Sequence, residues 1–370
     1  MNTSINKQYS ETLDLLRFPL AIIIVSVHIM SKDLYLQGSS VSFNNMPILN
    51  TLNSCVDIFF RGQSVPIYYF ISGYVFFLGG NFSLKIFKNK LKNRFKTLFI
   101  PYCLWNIISI LLFLSLFLPI FNNIVPNISS VDIDFSLKSI LQFFGISTNN
   151  ILQINFPHNY ALWFIRDLMI VVLSTPILYY LIKKTKFYLI TFLCIAWFFV
   201  GVFQEYGRIE QLLSAFSFFY LGAYFSINKK DLLITFNKLF IPSIILYLIF
   251  SIGCIICNIY DLDLFNYFKR ANIIVGLFLA YNISSLFIKK NICKVNGFLS
   301  QSSYFIYLSH TIICTHILKI LLIAIKPNSD IGTVVIYLLA ITLTILSLLF
   351  TSFILQRYFP NLNRLLTGKK

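Results

Sequence analysis

The run Asp14-Leu15-Leu16-Arg17-Phe18-Pro19-Leu20-Ala21-Ile22-Ile23-Ile24-Val25-Ser26-Val27-His28 sets Arg17 and His28 at the ends of an apolar stretch, with only Ser26 polar between them. Such continuity reads as a helix apolar all round, which belongs in lipid or inside a helical bundle. At 100° per residue, the eleven positions from Arg17 to His28 make about three turns. Both side chains then point the same way, about 16 Å apart along the axis. Ala21 and Ile24 share that stripe, and Pro19 either kinks the helix or marks its first turn. An ionisable group inside a bilayer costs roughly 3 kcal/mol on insertion scales and marks function by default. The bland alternatives are a snorkelling Arg17 and a hydrogen-bonded interior His28.

The rest of the chain repeats this character. Of 370 residues, 57% are hydrophobic and 12% charged, against about 25% charged in a soluble domain. Leu, Ile and Phe form runs of about 17 to 25 residues, long enough for a bilayer core of ~30 Å. Strands of a membrane barrel would alternate and be only about 10 residues long. The expected fold is therefore all-α, a polytopic bundle of about ten spans in a single domain, 1–370. The spans fall near 13–30, 62–80, 98–121, 161–182, 187–203, 209–227, 236–258, 270–288, 301–325 and 331–356. The second is the weakest, since Gly62, Gln63, Ser64 and Pro66 open it. The first helix has no small-residue cleavage pattern and is expected to stay attached.

The net charge of +17 does not indicate nucleic acid, because the cations sit between apolar runs. With both termini cytoplasmic, inner connections hold 20 Lys and Arg and outer ones 7, the other three lying in or beside spans. That asymmetry is the positive-inside pattern. Two outer connections are long, about 31–61 and 122–160, and long loops are often functional. The second carries Phe156-Pro157-His158-Asn159 just before a span. Seven cysteines without framework spacing give no disulfide scaffold. Cys254 and Cys257 form a CxxC in an apolar helix with no second pair, so small packing residues, not metal ligands, are expected.

Further polar groups interrupt the spans. The ninth reads Ser302-Ser303-Tyr304-Phe305-Ile306-Tyr307-Leu308-Ser309-His310, placing His310 near mid-membrane; His316 reads as structural. In the second, Tyr69-Phe70-Ile71-Ser72-Gly73-Tyr74 either packs helices closely or lines a channel through Ser72. The basic segment from Arg94 and Lys96 into Pro101-Tyr102 and Trp105 either stops translocation or holds an anion. Ala161-Leu162-Trp163-Phe164-Ile165-Arg166-Asp167 puts Trp163 at interface level. Arg166 and Asp167 form a local ion pair or, with Trp163, meet a sugar at the outer mouth.

Taken in order, these residues resemble acyltransferase family 3, the integral-membrane O-acyltransferases of bacterial surface carbohydrates. The first-helix Arg, ten residues, His pattern is met by Arg17 and His28. The aromatic Ser-Gly stretch is met by Tyr69, Phe70, Ser72, Gly73 and Tyr74. Matches continue with the basic lead into Pro101-Tyr102, Trp163-Phe164 with Arg166-Asp167, Phe219-Gly222-Tyr224, and Tyr307 with His310. The chain departs at Leu20, where many members have a small residue, and in lacking a soluble hydrolase-like domain that some carry.

The resemblance implies an O-acetyltransferase in the bacterial cytoplasmic membrane. It would move acetyl, or succinyl, from acetyl-CoA as substrate, with no resident cofactor or metal, to a hydroxyl of an exported polysaccharide or its lipid-linked precursor. Expected partners are membrane lipid, the carbohydrate acceptor and other polysaccharide-biosynthesis proteins, with no nucleic acid. Acyl transfer needs a base or acyl carrier and charge stabilisation. His28 suits the first as base or transient carrier, since imidazole has an ordinary pKa of about 6.5. Arg17 would orient the donor, and His310 would assist proton transfer or orient the acceptor. Arg94, Lys96 and Tyr102 would bind the donor; Trp163, Arg166, Asp167 and Ser72 would bind the acceptor. The rival reading is a transporter or flippase of a lipid-linked saccharide, in which the same intramembrane charges line a pathway. Such proteins commonly show related halves, and no repeat is seen here.

Overall fold

The computed structural model describes residues 3–30, 34–36, 39–41, 46–79, 82–115, 136–146, 156–203 and 207–368, with 3–7 and 34–41 described by backbone alone. Helix α1 (Thr3–Ile29) runs through Pro19 without a break in assignment. A short antiparallel hairpin follows, β1 (Leu34–Leu36) and β2 (Ser39–Val41). Next come α2 (Pro47–Phe59), α3 (Ser64–Phe76) and α4 (Leu84–Arg94), the last continuing through a π-turn (Phe95–Phe99) into α5 (Ile100–Ser115). After α6 (Leu137–Phe143), a 3-10 turn (Tyr160–Leu162) opens α7 (Trp163–Thr185). The chain continues through α8 (Tyr188–Phe203), α9 (Arg208–Ile227), α10 (Leu232–Lys238), α11 (Phe240–Ile259), α12 (Phe265–Lys289), α13 (Gly297–Ile325), α14 (Asp330–Tyr358) and α15 (Pro360–Thr367).

The expected all-α bundle is found. Among the described residues, seven stretches are long and apolar enough to cross a membrane: Gln8–Ile29, Leu84–Ser115, Tyr160–Thr185, Phe240–Ile259, Phe265–Lys289, Gly297–Ile325 and Asp330–Tyr358. The three other expected spans are helices α3, α8 and α9. Helix α8 has 16 residues and α3 only 13, about 20 Å of rise for α3 against a core of about 30 Å. The reason for so short a helix is its place. Its buried residues, from Ser64 and Pro66 through Tyr69, Phe70, Gly73 and Phe76, fall on all sides, so protein surrounds it and lipid thickness does not set its length. Two sequence expectations change accordingly. The span near 62–80 is α-helical only over Ser64–Phe76, and the outer connection near 31–61 contains α2. The expected span end at 116–121 lies outside the described residues.

Helices α3 and α9 approach closely through two glycines. A Cβ on Gly73 would fall 1.8 Å from the Phe219 carbonyl oxygen, and one on Gly222 would fall 2.0 Å from that of Phe70. These are backbone atoms, which cannot swing aside, so the Ser-Gly stretch of α3 is a packing surface. Gly73→Val is expected to force the helices apart and cost more than the usual 1–3 kcal/mol of overpacking. Detergent-solubilised protein should then be lost from the monodisperse peak in size-exclusion chromatography. Gly297→Ala, where a Cβ meets nothing within 4 Å, should run like wild type.

Prolines inside helices release carbonyls that must find new donors in a membrane. Pro101 cannot bond the Thr97 carbonyl four residues back; the Tyr304 hydroxyl of α13 donates to it instead at 3.1 Å. Pro176 likewise frees Val172, whose carbonyl accepts from Thr175 Oγ1 at 2.7 Å.

Side-chain bonds sort the connections into two ends. At one end Tyr9 bonds Asp231, and Gln8 reaches Ser285 at 3.5 Å. At the other, Lys269 reaches Asp57 at 3.0 Å, and Asp330 accepts from the amides of Ile48 and Leu49 at 2.5 and 3.1 Å. Segments joined in this way share a side in the charge alternation.

Candidate active site

His28 stands at the last turn of α1, half-buried on the wall of a cavity of about 330 Å³. Helix α13 brings His310 beside it: the rings are 5.0 Å apart between centroids and tilted by 36°. His310 is fully buried. Its Nδ1 lies 2.8 Å from the Tyr307 carbonyl oxygen and 3.2 Å from that of Ile306. Carbonyls only accept, so in the neutral ring Nδ1 carries the proton and Nε2 keeps a lone pair. That Nε2 is buried and has no hydrogen-bond partner among the described residues.

The third group is Tyr160, whose hydroxyl lies 2.9 Å from His28 Nδ1, with the rings edge to face at 5.1 Å. The segment carrying it is firmly held. Asn159 is buried; its amide N–H donates to Asn106 Oδ1 of α5 at 3.2 Å, and its Nδ2 donates to the Leu308 carbonyl at 3.0 Å. Asn159 Oδ1 accepts from Thr311 at 2.7 Å, and Tyr307 donates to the Ala161 carbonyl. His158 Nδ1 bonds Ser109 at 2.9 Å. The Phe156–Asn159 segment is thus clamped between α5 and α13, which places Tyr160 over His28.

Trp163 lines the same cavity, as do Arg61, Glu210 and Arg270. Arg270 Nη1 donates to Glu210 Oε1 at 2.5 Å, and Trp197 Nε1 donates to the same oxygen at 2.8 Å. The guanidinium lies over the Trp197 ring, 5.1 Å from its centroid, in space left by Gly201, where a Cβ would come within 2.5 Å of Arg270 Cζ. Arg61 pairs with Asp57 at 2.5 Å. Polar and charged groups together with Ile23, Ile24, Val27 and Val65 line a pocket, a mixture that suits a ligand with both apolar and polar parts.

Of the residues expected from sequence, His28, His310 and Trp163 come together. The others lie elsewhere. Arg17 pairs with Asp14 at 2.7 Å and does not line the cavity. Ser72 is half-buried on α3, away from it. Arg166 and Asp167 do not form its mouth: Asp167 is fully buried and accepts from Arg166 Nε at 2.9 Å and Arg208 Nη1 at 3.1 Å. A carboxylate this deep requires cations around it, and that need turns the pair toward α9. Arg94 lies over the Phe76 ring at 5.9 Å, and the Tyr102 hydroxyl donates to the Phe144 carbonyl at 2.6 Å. Lys96 lines a separate crevice of about 310 Å³ with Asn93, Asn361 and Arg364, between the π-turn and α15.

Tyr160, Glu210 and Arg270 are the residues that sequence reasoning missed. A signal existed for Glu210, an acid two positions after Arg208 at the head of an apolar helix, but a count of cations alone passes over it.

The chain matches the family model described as an acyltransferase domain over residues 11–353. No curated protein and no solved structure matches it. The matched stretch begins before Arg17 and ends within α14, so it contains every element that shapes the cavity; the chain belongs to acyltransferase family 3 and is a membrane acyltransferase.

Proposed function

We propose that this protein transfers an acetyl group from cytoplasmic acetyl-CoA to a hydroxyl of an exported polysaccharide, or of its lipid-linked precursor, in the bacterial cytoplasmic membrane. The observation that carries this reading is His28 on the wall of a cavity that Arg61, Glu210 and Arg270 also line, with the buried His310 ring packed beside it. The acceptor sugar stacks on Trp163 and offers its hydroxyl to the His28 side of the cavity. As the proton leaves toward His28, the acceptor oxygen bonds the thioester carbonyl carbon. The tetrahedral intermediate then collapses, the C–S bond breaks, and the thiolate takes up the proton. His310, neutral with a bare Nε2, steadies the charge that builds on His28.

The positive-inside count favours the end with Lys96 and Arg364 as the cytoplasmic one. Those cations suit the phosphates of the donor, and Arg17, on the same helix as His28, suits its thioester arm. This assignment puts the His28 cavity in the outer half, where the acceptor arrives.

The test is mass spectrometry of surface polysaccharide from wild-type and deletion strains, with acetyl-CoA consumption by the purified protein. Loss of an acetyl-sized mass in the deletion, and thiol release in vitro, support the reading; a succinyl-sized loss would change the donor. Unchanged acylation with impaired polymer export would overturn it in favour of a saccharide transporter.

A further inference from the structure

Tyr160 occupies the Nδ1 side of His28, at 2.9 Å, and is exposed where it lines the cavity. A phenol either donates to that nitrogen or accepts from it, and the two choices assign the imidazole different chemistry. If Nδ1–H donates, Nε2 is a lone pair. If the phenol donates, Nδ1 accepts and His28 carries its proton on Nε2. The second arrangement leaves the phenolic oxygen with lone pairs on the cavity side, where an acceptor hydroxyl can meet them.

We propose that Tyr160 is a catalytic residue that carries the acceptor's proton to His28. This rests on the reading of His28 as the base. The acceptor hydroxyl gives its proton to the Tyr160 oxygen while the Tyr160 proton moves to His28 Nδ1. The acceptor oxygen bonds the thioester carbon, and the C–S bond breaks. His28 returns a proton through the phenol to the leaving thiolate, so the products are an ester and a free thiol, with both side chains restored. The clamped Asn159 segment serves this role, because a relay needs its hydroxyl held within hydrogen-bond reach of both neighbours.

The test uses the full-length purified protein, acetyl-CoA, and polysaccharide isolated from the deletion strain. Tyr160→Phe keeps the ring and removes only the hydroxyl. It should lower kcat about a hundredfold and leave both KM values within about threefold, a split that loss of packing would not give. In a His28→Ala background the same change should have almost no further effect, since residues acting as a unit are non-additive. For the wild type, a plot of rate against deuterium fraction should bow, as two moving protons require. Near-normal kcat in Tyr160→Phe, full additivity with His28→Ala, or a linear plot for the wild type would each remove Tyr160 from the proton path. If His28→Ala itself stays active, the fault lies in the base assignment instead.

Discussion

His28→Ala is expected to abolish acyl transfer, with activity falling at least about a hundredfold while the protein still reaches the membrane in normal amount. General base catalysis by a positioned side chain contributes about 10²–10⁴ in rate. The substitution removes that contribution with little structural damage. His28 is half-buried at the last turn of α1, its side chain faces the cavity, and alanine continues a helix well. The measurement is surface-polysaccharide acylation in a deletion strain carrying the variant, with membrane levels checked by immunoblot. Restored acylation would sink the assignment. His310→Ala is a different experiment, because His310 is fully buried and bonded to its own helix, so it changes packing as well as chemistry.

The largest effect on stability is expected at Glu210→Ala. Glu210 and Arg270 are both almost completely buried and joined at 2.5 Å, with Trp197 donating to the same carboxylate oxygen. Removing one partner of a buried pair leaves an uncompensated charge and costs about 3–5 kcal/mol. It also withdraws the acceptor from the Trp197 N–H, adding roughly 1–3 kcal/mol of unmet hydrogen bonding. The thermal midpoint of the purified protein should fall steeply, and little of it should accumulate. Glu210→Ala with Arg270→Leu should recover part of the loss, since the buried cation is removed along with its carboxylate partner. Equal stability of the single and double variants would mean the pair contributes through shape alone. The recovered double variant should still acylate poorly, because Arg270 and Glu210 both line the cavity.

Much of the architecture was legible because the membrane restricts the choices. Backbone groups in lipid must bond within their own segment, so long apolar runs become helices. Their periodicity and the Lys/Arg asymmetry then order them. The misreadings occur where protein replaces lipid as the surroundings. Helix α3 is too short to span and is preceded by Gly62 and Gln63, because its head is at the cavity and its sides meet α9, α1 and α12. Helix α2 reads as a connection in the sequence, since its Asn, Thr and Asp residues suit a loop as well as an amphipathic helix.

By itself the sequence determined that this is a helical membrane protein of a recognisable family, and that His28 and His310 are candidates for chemistry. An ionisable ring in an apolar helix is visible in one dimension, because desolvation makes it exceptional wherever it lies. Only the tertiary structure decided which exceptional residues share a cavity. Arg17 lies on the same helix as His28, but about 16 Å away along the axis; Asp167 is drawn to Arg208 and Arg166. Tyr160, ordinary in the sequence, is set against His28 by hydrogen bonds from Asn159 and Tyr307 to residues far away in the chain. Angular position on a helix follows from local spacing, whereas the partner across the gap follows from how whole helices pack, and proton transfer depends on the partner.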